Sequence, residues 1–464
     1  MIEHCHYDIV VIGSGPAGQK SAIQAAKLGK SVALIERNKS FGGACVHRGT
    51  IPSKTLRENA LRVKSMRQNA ALGQFTLDEA IEMSTLIDRL GEVLSAHDQF
   101  MRHQVDRNQI VRIHGRASFL NATTIQVELI NKKVQHLSAK KIIIATGSQL
   151  RHPAHIHVDH EHILDSDSIL SIVYLPTSLT VLGGGVIASE YASIFQALGV
   201  KVTMIDRYPS PLGFLDKDMT DCFIREFEAM GGTWLGNQKV TSCQWNGVDA
   251  VVTDCEDGMH VASEKVLCAA GRIANVKELA INNAGLTLNS KGLLTVDDNL
   301  CTDVATIYAA GDVIGPPSLA SASMEQGRRA ARHALGVATN KESDLIPTGI
   351  YGIPELSSVG LTEQQAKEKY GEILIGKARF SEVARGQISG NTGGMLKIVS
   401  DQKGKKILGV MIIGEASTEV IHIGQMAMIC QATVDTLIES TFNFPTLAEA
   451  YRIAALDILA KRKE

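Results

Sequence analysis

Two stretches of this chain share one rhythm of apolar and polar positions. Near the start, an unbroken apolar run from Ile9 to Ile12 leads into a glycine-rich turn and a helix-like segment ending at Leu28. A second apolar run, Ser31 to Ile35, then closes on an acid, Glu36. Runs of this kind predict strands buried on both faces, as in a parallel sheet. The order returns downstream as Leu179 to Leu182, a glycine turn, an amphipathic helix to Leu198, Val200 to Ile205, and Asp206. The offset from first glycine to acid is the same in both, Gly13 to Glu36 and Gly183 to Asp206. Such a repeat predicts two βαβ nucleotide-binding units in one chain.

Other patterns fill in the rest. Leu56, Leu61, Val63, Leu86, Ile87, Leu90, Val93 and Leu94 recur near helical spacing, which predicts helix across 55–107. Alternation between Ile110 and Val134 predicts short antiparallel strands. Apolar strands are expected to end at Thr146 and Gly147, at Gly271, and at Gly311 and Asp312, and a helix is expected from Ser321 to Leu335. Beyond about residue 345 the pattern changes. Strands are predicted at 372–380, 395–399 and 407–413, with helices at 361–369, 415–430 and 447–461.

Composition narrows the setting. A chain of 464 residues has room for several domains. Its net charge of −2 leaves no electrostatic footprint for nucleic acid or a membrane surface. No apolar segment is long enough to span a bilayer, and no basic start with an apolar core marks a signal peptide. The eight cysteines are scattered, which predicts reduced thiols and a cytoplasmic setting. His152, His155, His157, His160 and His162 crowd one stretch. Their spacing matches no common zinc pattern, and a solvated connector explains them better; no metal is expected.

The turns carry the chemistry. Gly13 allows the tight bend, Gly15 lets a pyrophosphate approach the backbone, and Gly18 lets helix and strand pack closely. Gly183, Gly185 and Ala188 repeat the arrangement. Each helix N-terminus offers free N–H groups and partial positive charge to phosphate. Glu36 and Asp206 sit where a carboxylate can accept ribose hydroxyls. Asp206 favours NAD(H), whereas Arg207 reads either as a surface charge or as a partner for a 2′-phosphate, and together they predict a site admitting NAD(H) and NADP(H).

The segment Gly42-Gly43-Ala44-Cys45-Val46-His47-Arg48-Gly49-Thr50-Ile51-Pro52-Ser53-Lys54 resembles the redox segment of the class I flavoprotein disulfide reductases, the relatives of glutathione reductase and dihydrolipoamide dehydrogenase. The resemblance covers essentially the whole chain. It implies an α/β fold with two Rossmann-like nucleotide-binding domains, for FAD and NAD(P), plus a C-terminal α+β dimerisation domain. The expected boundaries are 1–148 and 276–344 for the FAD domain, 149–275 for the NAD(P) domain and 345–464 for dimerisation. FAD is expected on Gly13, Gly15, Gly18, Glu36, Arg37, Thr50, Lys54, Thr146, Gly147, Gly311 and Asp312. NAD(P) is expected on Gly183, Gly185, Ala188, Glu190, Asp206, Arg207 and Gly271. The resemblance also implies an ion pair of Lys54 with Glu190 near the flavin N5, where a lysine favours negative charge.

Two positions depart from the family. Its second cysteine falls on Thr50, so the disulfide relay cannot run. Its proton-transfer histidine falls on Phe444, although Glu449 is retained. Both losses strike the thiol half of the chemistry. The match is then closest to the soluble flavin-dependent pyridine nucleotide transhydrogenases, which resemble this chain at Cys45, His47, Gly49, Thr50 and Phe442 to Thr446. That implies a Si-specific NAD(P)+ transhydrogenase, a homodimer or higher homo-oligomer, working by ping-pong exchange of NADPH and NAD+ through FAD. Cys45 joins Lys54 and Glu190 in the candidate catalytic set, as a group beside the flavin rather than a nucleophile. The competing readings are a dihydrolipoamide dehydrogenase-like enzyme, an NAD(P)H:acceptor oxidoreductase using a quinone or dye, and a non-catalytic flavin-binding protein.

Overall fold

The computed structural model describes residues 3–69, 83–339 and 345–462. It divides into two compact units, one of residues 1–55, 87–151 and 271–342, the other of residues 56–86, 152–270 and 343–464.

In the first unit the strand Glu3–Ile12 lies between Val32–Glu36 and Val134–Ile144, parallel to both. Ile307–Ala309 adds a further parallel strand beside Val134–Ile144. Val111–Asn121 runs parallel to Val32–Glu36 in its first half and turns into an antiparallel meander with Thr124–Leu129 in its second. The predicted alternation is therefore met by antiparallel strands. Ile9, Val10, Val11 and Ile142 to Ile144 are fully buried, as a strand covered on both faces requires. The helix Pro16–Lys27 packs against Ala320–Ala334. A Cβ at Gly327 would lie 2.1 Å from the Ala17 carbonyl oxygen, so only glycine permits the approach, and Ser21 Oγ donates across it to Gly327 O at 3.0 Å.

The second unit holds a parallel sheet in the order Thr233–Leu235, Lys201–Ile205, Ser178–Leu182, Lys265–Cys268, Ile163–Leu164. The helix Val186–Ala197 is almost wholly buried on it. It also holds a five-stranded antiparallel sheet in the order Thr348–Ile350, Leu356–Gly360, Ile407–Ile413, Met395–Asp401, Ile373–Arg379. Ser417–Ile429 and Glu449–Lys461 pack on that sheet around a buried Tyr451, whose hydroxyl donates to Val420 O at 3.0 Å. The helix predicted over 55–107 is met by Thr50–Gln68 and Met83–Arg107; residues 70–82 lie outside the described ones. The short helices Ala384–Ser389 and Val434–Glu439 carry too few turns to show a period and were not predicted. No helix among the described residues is long and apolar enough to cross a membrane.

Within this unit a buried cation ties distant segments together. Lys397 is 1% exposed and meets Asp216 at 2.9 Å, Asp218 at 3.1 Å and Glu363 at 2.9 Å. Hydrogen bonds from Lys367 and then Lys397 lower the Glu363 carboxyl from 4.5 to about 2. Its pKa is lower folded than unfolded, so its contribution to stability is complete above 4.5 and is lost as the pH falls toward about 2. Lys397→Met leaves three acids without their shared cation. A loss of about 3–5 kcal/mol is expected, seen as a lower urea midpoint near neutral pH. The variant should also lose less stability than wild type on acidification.

Candidate active site

In the first unit the strand Glu3–Ile12 delivers the chain into a turn whose shape is dictated by backbone contact. Gly13 has φ +103°, and a Cβ there would lie 2.4 Å from Ala145 O. A Cβ at Gly18 would lie 1.8 Å from Gly13 O. Gly15, by contrast, faces open space, and it precedes the first residue of the helix Pro16–Lys27. The turn thus offers uncovered backbone N–H groups at a helix start.

Glu36 ends the neighbouring strand and is buried. Its Oε2 accepts from Ser14 N–H at 3.0 Å and Ser14 Oγ at 2.7 Å, and its Oε1 accepts from Asn38 N–H at 2.8 Å. Ser14 Oγ also accepts from Gly42 N–H at 3.1 Å, which joins the acid to the redox segment. A Cβ at Gly43 would lie 2.9 Å from Gly15 Cα, so that segment rests against the turn. Thr146 Oγ1 is buried with no hydrogen-bond partner among the described residues. Asp312 follows the strand Ile307–Ala309 and accepts from Ser148 Oγ at 2.7 Å, while Gly311 N–H donates to Gln326 Oε1 at 3.0 Å. Asn275 N–H donates to Gly147 O at 3.0 Å. An open cradle at Gly15, a buried acid with acceptor capacity and an orphaned hydroxyl fit the adenosine diphosphate half of FAD. Arg37 pairs with Glu278 at 3.3 Å.

Cys45 lies in the short helix Gly43–His47, and Thr50 opens the next helix. Burial pushes the Cys45 thiol up; the Thr50 hydroxyl and the Lys54 charge oppose the rise, and the Asp312 charge adds to it. A thiol held protonated is a poor nucleophile. Lys54 Nζ donates to Ser53 Oγ at 3.3 Å, and His47 Nε2 meets Phe41 O at 2.7 Å. All eight cysteines are free.

The second unit repeats the turn. Gly183 has φ +118°, and a Cβ there would lie 2.8 Å from Ala269 O; Gly185 faces open space and Ala188 is fully buried. Ser189 Oγ is buried without a partner among the described residues. Glu190 is buried, and its Oε1 accepts from Tyr351 N–H at 2.8 Å. Asp206 Oδ1 accepts from Tyr208 N–H at 3.2 Å. A Cβ at Gly184 would lie 2.8 Å from Asp206 Oδ2, so this middle glycine keeps the acid close over the turn. Gly271, at φ +100°, is in the first unit and accepts from Arg151 N–H at 3.0 Å. His152 meets Asp165 at 3.2 Å and His162 stacks on Trp245 at 3.8 Å; no cluster among the described residues could hold a metal ion. Phe444 is 70% exposed, and Glu449 accepts from Thr446 N–H at 3.2 Å.

Spacing could not pick out Ser14, Gly43, Ser148 or Gln326. Ser14 occupies a position where the fingerprint tolerates any residue, and the others act through contacts remote in sequence.

Two glycine turns with acids, a redox helix and a C-terminal antiparallel sheet define a two-nucleotide oxidoreductase. The chain belongs to the pyridine nucleotide-disulphide oxidoreductase family: its model matches residues 7–327, and the family's dimerisation domain matches residues 346–455. Membership implies a flavin and a nicotinamide nucleotide as the redox pair. Among curated relatives, the soluble pyridine nucleotide transhydrogenase of Mycobacterium tuberculosis (strain ATCC 25177 / H37Ra) is 43% identical over 98% of each chain. The protein of that name from Photobacterium profundum is 41% identical over 97% of each. Among solved structures, the HOCl-induced flavoprotein disulfide reductase RclA from Escherichia coli superimposes with a TM-score of 0.87 at 29% identity, over 97% of this chain and 99% of that one. LpdA from Mycobacterium tuberculosis gives 0.89 at 25% identity, over 98% and 99%.

Ser14→Ala removes the hydroxyl that bonds both Glu36 and Gly42. FAD affinity of the apoprotein is expected to fall roughly tenfold, as for one lost buried hydrogen bond to a charged group. Fluorescence titration with FAD measures it, and an unchanged affinity would detach Ser14 from the flavin site.

Proposed function

We propose that this chain is an NAD(P)+ transhydrogenase, moving a hydride between NADPH and NAD+ by way of bound FAD in a ping-pong sequence. The observation that carries the reading is Thr50 at the position of the family's second redox cysteine. Cys45 is left as a single free thiol. A threonine cannot form the second half of a cystine, yet both dinucleotide turns are intact. The curated relatives carrying the transhydrogenase name support the same reading.

The roles follow the geometry. Gly13, Gly15, Gly18, Glu36, Thr146, Gly147, Gly311 and Asp312 would hold FAD, with Thr50 and Lys54 beside its reactive end and Arg37 at the edge of its adenosine site. When bound, the flavin supplies two-electron transfer between successive nicotinamides. Lys54 brings a positive charge that favours negative charge developing nearby. Glu190, whose Oε1 accepts from the Tyr351 N–H, is proposed as the acid of the catalytic set. Cys45 fills space as a protonated thiol and takes no covalent part. Gly183, Gly185, Ala188, Asp206 and Arg207 would serve the nicotinamide nucleotides. Only two fingerprint turns are read in the chain, so donor and acceptor take turns at the second.

The division into 1–148 with 276–344, 149–275 and 345–464 belongs to the proposal, as do a homodimer or higher homo-oligomer formed through the last segment and a cytoplasmic setting. The eight free thiols support that setting.

A single alternating site gives parallel double-reciprocal lines when NADPH is varied against an NAD+ analogue; intersecting lines would require both nucleotides bound together. Lys54→Met is expected to slow anaerobic reduction of the flavin by NADPH roughly 100-fold, the scale for losing one charge-stabilising group, while the protein still retains FAD. Stopped-flow absorbance reads it, and an unchanged rate removes Lys54 from the mechanism.

A further inference from the structure

We infer that Tyr208 is a positioning residue that lets one pocket accept both coenzymes, its backbone serving NAD(H) and its side chain serving NADP(H). The inference rests on assigning the Gly183–Asp206 unit to the nicotinamide nucleotides.

Tyr208 N–H donates to Asp206 Oδ1 at 3.2 Å, while Asp206 Oδ2 lies over Gly184. The carboxylate is thus held at the fingerprint turn, where ribose hydroxyls are read. The Tyr208 side chain does something else. Arg207 Nη2 donates to its hydroxyl at 2.9 Å, and the guanidinium carbon lies 4.8 Å from its ring centroid. An arginine fork has five N–H donors, so one bond to a phenol leaves most of it for a phosphate.

The loop bearing the pair is built rather than loose. Leu212 N–H donates to Gly184 O at 2.7 Å, Gln238 N–H to Asp206 O at 2.8 Å and Asn237 N–H to Tyr208 O at 3.1 Å. Trp234 Nε1–H donates to Pro209 O at 3.1 Å. An exposed arginine otherwise gives up much rotamer freedom when it binds an anion. Stacking and hydrogen bonding to Tyr208 remove part of that cost before the 2′-phosphate arrives.

The two roles reside in different atoms and can be separated. Side-chain substitutions of Tyr208 keep the N–H on Asp206. The test is calorimetric titration of the FAD-loaded protein with adenosine 2′,5′-bisphosphate and with 5′-AMP, which differ only in the 2′-phosphate. Tyr208→Ala is expected to weaken the bisphosphate roughly five- to tenfold, the scale of one lost cation–π contact plus one hydrogen bond. Its affinity for 5′-AMP should not change. Tyr208→Phe, which keeps the ring, should fall between. In steady state the alanine variant should show a raised KM for NADPH with KM for NADH and both kcat values unchanged. Equal loss for both ligands, or no loss for either, overturns the inference and leaves Tyr208 a structural residue. Wild-type protein that binds neither ligand overturns the coenzyme assignment itself, and this inference with it.

Discussion

The architecture turns on backbone pressed against backbone at two glycine turns. Gly13 and Gly183 each meet a carbonyl at the end of a neighbouring strand, Ala145 and Ala269, at distances no Cβ could tolerate. A methyl group at either place would lift the helix off the sheet end by roughly its own width. The first N–H groups of that helix would then leave the position from which they can meet a phosphate. Gly18 adds a second such contact in the first unit, and Gly327 sets the spacing of the helix behind it. The acids Glu36 and Asp206 are useful only because these contacts bring the strand ends beside the turns.

Beside the first cradle lies the segment that carries Cys45. A cystine would need two sulfurs; here the second position is Thr50 and Cys45 is a free thiol. Burial dominates the environment of the thiol, so the cationic lysine nearby does not make it a thiolate at neutral pH. The segment keeps its helical form and its hydrogen bond to the first turn through Gly42 and Ser14. Its helical shape is kept although it holds one sulfur rather than two.

Much of this was legible in residue order. Apolar runs of uniform character marked the parallel strands because both faces are covered, and the helices Ala320–Ala334, Ser417–Ile429 and Glu449–Lys461 begin within two residues of their expected starts. The fingerprint glycines stood out because local geometry alone demands them. What spacing could not show was long-range. Ser14 matters through Gly42, Ser148 through Asp312, and Gly184 through Asp206. The pairing of Arg37 with Glu278 is likewise remote in sequence. The cluster of Lys397, Asp216, Asp218 and Glu363 gave no sequence signal either, because its members come from three separate stretches.

That cluster has a consequence for how the polypeptide is made. Asp216 and Asp218 emerge from the ribosome long before Lys397, and Glu363 comes between. Until the late strand delivers its ammonium group, Asp218 and Glu363 have only Lys377 and Lys367 as cationic partners. The early parallel sheet and the late antiparallel sheet of this unit therefore cannot dock fully during synthesis of the first of them. Their joining waits on Lys397, which the later sheet supplies.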